Sequence, residues 1–207
     1  MMAHELESAE ELAQPVTNLM FEFQQFYDMV ANFFRDYPDL KEGSLPPVHS
    51  VKSRIKSHQS IVDKIDRKKR KGRIITKDNV FDELTDVLGV RVLHLHTRQF
   101  DVIYRVIMDR VANGKWYLFE TPVAYTWDPE LKEYFSGFEI NAQEKDIYTS
   151  VHFVVVDPTD ERIKCEIQVR TLFDEIWGEI DHTLNYPYIT DNVHCYEQLR
   201  VLARLAT

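Results

Sequence analysis

Between Ile163 and Arg170 the chain reads IKCEIQVR, and this alternation constrains the fold more than any other stretch. Ile163, Cys165, Ile167 and Val169 fall on one side of an extended backbone, and Lys164, Glu166, Gln168 and Arg170 on the other. Period two with β-branched residues on the apolar side predicts a half-buried strand. Thr171 then caps a helix that starts at once, with Leu172, Phe173, Ile176, Trp177, Ile180 and Leu184 at helical spacing. The strand's polar face runs base, acid, amide, base. That order fits the solvated face of an edge strand, and it equally fits a surface that meets a phosphorylated substrate.

The strand has two natural neighbours. Tyr148–Val156, YTSVHFVVV, reads as a strand, and the turn at Pro158–Arg162 makes the pair an antiparallel hairpin. Leu88–Leu95, LGVRVLHL, is apolar on both faces and therefore central. Upstream, Glu5–Tyr37 reads as one helix with Leu19, Phe23, Phe26, Tyr27, Val30, Phe33 and Phe34 in a single stripe. Pro38, Gly43, Pro46 and Pro47 close it. Val48–Arg54 reads as a strand, Ile55–Lys71 as a helix, and Asp78–Asp86 as a short helix capped by Asp78. Phe100–Asn113 is a helix ended by Gly114, and Lys115–Gln143 an irregular strand plus a loop. Helices from Thr171 to about Tyr186 and from Val193 to Thr207 complete the order. That order predicts an α/β (α+β) domain with a mixed central sheet flanked by helices.

Composition narrows the class. With 207 residues, 44% of them hydrophobic, the chain can bury a sizeable core as one domain or a compact two-part unit. Six glycines argue against a Gly-rich phosphate loop. Cys165 and Cys195 make neither a disulfide framework nor a metal-ligand spacing. No apolar run is long enough to span a bilayer, and the start is acidic rather than a basic signal peptide. A cytoplasmic protein without a membrane partner is expected. A net charge of −9 argues against a general nucleic-acid binder. Against that background Lys64–Arg73, KIDRKKRKGR, carries seven basic residues in ten, which suits either a solvated helix end or a polyphosphate or RNA contact.

Four polar groups sit at strand ends or on strand faces: Arg54 with Lys56, Asp86 with Arg91, Tyr148 with His152, and Glu166 with Gln168 and Arg170. Carboxylates on neighbouring strands can hold Mg²⁺, which takes hard oxygen ligands and keeps room for substrate phosphates. Arg and Lys neutralise a polyphosphate, and an aromatic face accepts a base. These are the parts of metal-assisted phosphoryl transfer. Each also has a plainer reading, with Asp86 ending a helix and His152 satisfied in the core. His94 and His96 share a strand face, but no third ligand at matching spacing accompanies them.

Four motifs in order resemble the synthetase domain of the RelA/SpoT alarmone synthetases, most closely the small single-domain members. They are VKSRIKS at Val51–Ser57 with Ser60 and Lys64, DVLGVRV at Asp86–Val92, YTSVHF at Tyr148–Phe153, and EIQVRT at Glu166–Thr171 with Trp177 and His182. Together they cover roughly Val48–Pro187. The resemblance implies a nucleotidyltransferase-like fold. It also implies transfer of the β,γ-pyrophosphate of ATP to a ribose 3′-hydroxyl, typically of GDP or GTP. By the same resemblance Arg54, Lys56, Ser60, Lys64 and Arg91 would meet ATP and its phosphates, and Asp86 would bind Mg²⁺. Glu166 would share the metal or act as general base. Tyr148 would stack on the acceptor base, with His152, Lys145, Gln168 and Arg170 lining that side.

One departure bears on the acceptor. The family's Lys-x-Asn-Gly run before the tyrosine is replaced by Glu144, Lys145, Asp146 and Ile147. Toxic relatives with the same domain modify adenosine nucleotides or the 3′ end of tRNA, and the Lys64–Arg73 stretch would suit tRNA. A non-catalytic nucleotide- or RNA-sensing module is the remaining alternative, which the presence of both Asp86 and Glu166 disfavours. The expected organisation is an N-terminal helix and linker over 1–47, the synthetase domain over 48–190, and a C-terminal helix over 191–207. Leu199, Leu202 and Leu205 of that helix suit a homo-oligomer interface or a domain cut away. The stretch before Val48 is too short for the hydrolase domain of long family members, so degradation of the product is not expected.

Overall fold

The structure is a computed structural model, and it describes residues 7–145, 149–185, 197–198 and 201. Seven strands form one mixed sheet: β1 (Ser50–Ile55), β2 (Leu88–His94), β3 (Tyr117–Leu118), β4 (Val123–Thr126), β5 (Asn141–Glu144), β6 (Ser150–Asp157) and β7 (Asp160–Thr171). The spatial order is β1-β2-β7-β6-β4-β5, with β3 paired to β6. β2 runs parallel to β7 and β4 parallel to β5, and the other pairs are antiparallel. The alternating strand is therefore interior, and the edge-strand reading of its polar face falls. Lys164 and Arg170 on that face are themselves buried.

The opposite face is apolar because the alternation demands it. Val90 and Val92, Ile167 and Val169, and Val151 and Phe153 are all buried there. The helix α2 (Met20–Asp36) packs against β1, β2 and β7 and supplies Phe23, Phe26, Val30 and Phe34 to the same core. The helix expected over Glu5–Tyr37 is in fact two, α1 (Ala9–Asn18) and α2, broken at Leu19. The break lets α1 turn onto α4 (His58–Arg70) instead of following the sheet. His58 ties the two together, meeting Thr17 Oγ1 at 2.8 Å and Glu10 Oε1 at 2.7 Å. A capping box starts α1, in which Ser8 N donates to Glu11 Oε2 at 2.8 Å.

A single turn, α3 (Pro38–Lys41), leads to β1. The short helix expected over Asp78–Asp86 is one turn, α5 (Val80–Glu83), preceded by Asn79 rather than capped by Asp78. Asp86 thus lies beyond the helix, in the turn that enters β2, and does not end a helix. After β2 comes α6 (Phe100–Ala112). The irregular region over Lys115–Gln143 is more ordered than its sequence suggests. It holds β3, β4, α7 (Pro129–Ser136) and the start of β5. Asp128 caps α7, accepting from Glu130 N at 2.7 Å, and Pro129 occupies its first turn.

α8 (Leu172–Asn185) follows β7 without a loop, and Thr171 Oγ1 accepts from Asp174 N at 3.1 Å. It lies against β2 and β7 and brings acids toward the sheet. Asp174 and Glu175 are buried, while Phe173, Ile176 and Ile180 are exposed. The helix expected over Val193–Thr207 lies largely outside the described residues. Among the described residues no helix is long and apolar enough to cross a membrane.

Candidate active site

Strand register collects the polar side chains. Arg54 faces Gly89 across β1 and β2, and Gly89 faces Glu166 across β2 and β7. One step along, Lys52 faces Arg91, Arg91 faces Gln168, and Gln168 faces His152 on β6. Directly opposed residues share a face of the sheet, so these form one polar row across four strands.

Asp86 sits at the mouth of β2 and is gripped from two elements. Lys56 Nζ donates to its Oδ2 and to its carbonyl oxygen, each at 3.0 Å. Lys64, reaching from α4, pairs with the other carboxylate oxygen. Burial would raise the Asp86 carboxyl, but the Lys64 and Lys56 ammoniums outweigh it and hold the group below the ordinary aspartate range. Burial likewise draws the Lys64 ammonium below its usual range, with Asp86 opposing.

Glu166 is fixed at both oxygens. Gln168 Nε2 donates to Oε2 at 2.6 Å, and His152 Nδ1 lies 3.2 Å from Oε1. Burial pushes this carboxyl up, but the contact with His152, helped by Gln168, wins against burial and the nearby Asp86 charge. Both carboxyls are therefore ionised at neutral pH. They line one cavity of about 210 Å³ with Lys52, Arg54, Lys56 and Arg91. Gly89 lies in its wall, and a Cβ there would stand 3.8 Å from Arg54 Cγ.

Among the described residues no group of three or more His, Cys, Asp or Glu side chains gathers. Mg²⁺ does not require one, because it commonly takes one or two carboxylates and completes its octahedron with water and phosphate oxygens. Two anionic carboxylates on one cavity wall, beside cations suited to phosphates, fit that ion. His94 stays neutral at physiological pH. Burial holds it down to about pKa 4, and its Nδ1 lies 3.0 Å from the His96 carbonyl oxygen.

A second cavity of about 620 Å³ adjoins the first and shares Arg54, Arg91 and Gln168 with it. It adds Lys145, Arg170 and, from α8, Trp177. Lys145 Nζ lies 4.9 Å from the centre of the Tyr125 ring, whose edge-to-face partner at 5.1 Å is His152.

Residues 53–191 match the region found in RelA / SpoT proteins, well over half of the chain. The chain belongs to the RelA/SpoT family. It is 26% identical over 154 residues to GTP pyrophosphokinase YwaC of Bacillus subtilis (strain 168), a stretch that covers 70% of this chain and 61% of that relative's length. The fold is that of the small alarmone synthetase 1 from Bacillus subtilis, with a TM-score of 0.65 at 19% identity over 93% of this chain and 90% of that one. A GTP pyrophosphokinase family protein from Streptococcus pneumoniae matches at a TM-score of 0.64 and 21% identity, over 93% and 86% of the two chains.

Within this RelA/SpoT chain most of the motif residues converge. Arg54, Lys56, Asp86, Arg91, Glu166 and Gln168 line the smaller cavity. Lys64 and His152 reach it through Asp86 and Glu166. Lys145 and Arg170 line the larger cavity. Ser60 is not brought in. It is exposed on the first turn of α4, where its backbone N–H and hydroxyl meet the capping Ser57 hydroxyl at 3.3 and 2.9 Å. Tyr148 lies outside the described residues.

The basic stretch is divided by the fold. Lys64 serves Asp86, Lys68 binds Glu83 at 2.8 Å, and Arg67, Arg70, Lys71 and Arg73 stay exposed. Sequence reasoning missed Lys52, Tyr125, Glu175 and Glu179. Only Lys52 carried a local signal, two places before Arg54 on the same strand face.

Proposed function

We propose that this chain is an ATP-dependent pyrophosphokinase, transferring the β,γ-pyrophosphate of ATP to the 3′-hydroxyl of GDP or GTP. The reading rests on one observation above the rest: two ionised carboxylates, Asp86 and Glu166, share a small cavity with Lys52, Arg54, Lys56 and Arg91. Anions and cations so interleaved suit a polyphosphate that arrives with a divalent ion. Support also comes from the relative named GTP pyrophosphokinase and from a likeness to small alarmone synthetase 1 bound to its product pppGpp and bound to AMPCPP.

In the reaction the ribose 3′-oxygen bonds to the β-phosphorus, the bond from that phosphorus to the α-phosphate's bridging oxygen breaks, and AMP leaves. Lys56, Arg54 and Arg91 hold the phosphates and offset charge that builds on them. Lys64 keeps Asp86 anionic and placed. Mg²⁺, held by Asp86 and Glu166, would supply charge neutralisation and alignment of the phosphate oxygens. Glu166 takes the hydroxyl proton. Its low pKa makes it a modest base, so its contribution comes from placement, which Gln168 and His152 fix. The larger cavity receives the acceptor, with Gln168 and Arg170 along one side. A chemistry that draws on free nucleotides suits a cytoplasmic protein.

A second reading, transfer to the 3′ end of tRNA, is favoured by the exposure of Arg67, Arg70, Lys71 and Arg73 at the end of α4. One experiment separates the two. The protein is incubated with Mg²⁺, ATP labelled at the γ position, and GDP, GTP, AMP, ADP or deacylated tRNA in turn. Label should pass to GDP or GTP, and Glu166→Gln should lose on the order of a hundredfold in rate. Label on tRNA alone would replace the acceptor. Transfer to no acceptor, or undiminished transfer by the Gln variant, would refute the catalytic assignment.

A further inference from the structure

The helix α8 presents two carboxylates one turn apart to the same cations. Glu175 Oε1 lies 2.8 Å from Lys52 Nζ and 3.1 Å from Arg91 Nη1, and its Oε2 pairs with Arg170. Glu179 Oε1 lies 3.2 Å from the same Arg91 nitrogen and 3.9 Å from Lys52 Nζ. The need for a counter-ion is plain from the register. Lys52 and Arg91 are directly opposed across β1 and β2, and like charges so placed repel. The two acids differ in one respect. The Glu175 side chain is 2% exposed and that of Glu179 58%. Glu175 is locked under the helix, where it steadies three cations from three strands. Glu179 stands at the rim, where both cavities open onto Arg91, and can swing into water at little cost.

We propose that Glu179 is a placeholder: its carboxylate occupies the phosphate position on Arg91 and Lys52, and ATP phosphates displace it. The inference rests on the ATP-binding part of the proposed function and on no choice of acceptor. A carboxylate and a phosphate compete for the same guanidinium edge. With Glu179 in place the like charges of Lys52 and Arg91 are balanced before the nucleotide arrives. When it leaves, the freed cations face the polyphosphate. The arrangement weakens resting affinity for ATP in exchange for an assembled site.

The test is calorimetric binding of a non-hydrolysable ATP analogue with Mg²⁺ to the full chain. Glu179→Gln should bind it about two- to fivefold more tightly than the parent, the range of an exposed ion pair. Glu133→Gln removes the same charge from α7, which lines neither cavity, and should leave affinity unchanged. In an Arg91→Met background the gain from Glu179→Gln should shrink, because the closer of its two contacts runs through that guanidinium. Weaker or equal binding by Glu179→Gln would overturn the placeholder, as would an equal gain from Glu133→Gln or a gain undiminished without Arg91. A parent that binds the analogue but transfers no label would defeat the proposed reaction and leave this inference standing. A parent that does not bind the analogue would defeat both.

Discussion

The two cavities meet at Arg54, Arg91 and Gln168, yet they are built from different material. The smaller is made from strand residues in register and from the turn into β2, so its geometry follows from the sheet. Asp86 and Glu166 each have both oxygens engaged there. The larger takes only part of its wall from strands. The rest comes from α8, which contributes Trp177 and Glu179, and from Lys145 just after β5. The contrast teaches a division of labour. Under the proposed function, the sheet fixes how the reaction proceeds, and the helix and loop beside it fix on what.

The largest expected effect breaks the smaller cavity alone. Asp86→Asn keeps the shape but leaves Lys56 and Lys64 without their anion and removes a candidate Mg²⁺ ligand. Turnover should fall about a thousandfold, the scale of several kcal/mol of lost transition-state stabilisation. The fall should be the same with every acceptor, as label-transfer rates across acceptors would show. On the other side, Trp177→Leu removes an aromatic wall from the larger cavity. The acceptor KM should rise about tenfold, the scale of one lost base-stacking contact, with affinity for ATP unchanged.

A smaller effect concerns stability and separates a buried acid of α8 from the carboxylates of the smaller cavity by sign. Burial raises the Asp174 carboxyl from its usual 3.8 to about 6. Its folded pKa lies above its unfolded one, so the folded state binds the proton more tightly. Stability is therefore lost as pH rises from about 4 through about 6, by about 2–3 kcal/mol in total. Asp86 and Glu166 are shifted down instead, and their contribution is lost as pH falls through the acid range. Asp174→Asn should flatten the first trend and leave the second, as urea midpoints at stepped pH would show.

Much of the sheet was legible in the sequence. The strict alternation of Ile163–Arg170 is a local pattern that its strand obeys, and the apolar run Leu88–Leu95 is central as read, although Gly89 and Arg91 on one of its faces line the smaller cavity. The break at Leu19 was not legible, because the apolar stripe continues through it. What splits the helix is the separate partners of α1 and α2, a tertiary fact. In Lys115–Gln143 the Asp128–Pro129 start signal of α7 was present but obscured by surrounding aromatics. The smaller cavity could be read from motifs because its residues sit at fixed places on strands. Glu175 and Glu179 could not. Four apart on a helix, they look like a solvated face, and their meaning comes from Arg91, 84 and 88 residues away in sequence.

The division of labour is tested most directly by two-substrate kinetics on Lys64→Ala and Lys145→Ala. Lys64 supports the carboxylate of the smaller cavity, and Lys145 lines only the larger. Lys64→Ala should raise the KM for ATP by about tenfold or more, in line with losing a charge-assisted hydrogen bond, and leave the acceptor KM near the parent value. Lys145→Ala should do the reverse. If either variant raises both constants together, the two cavities do not act separately and the account is wrong.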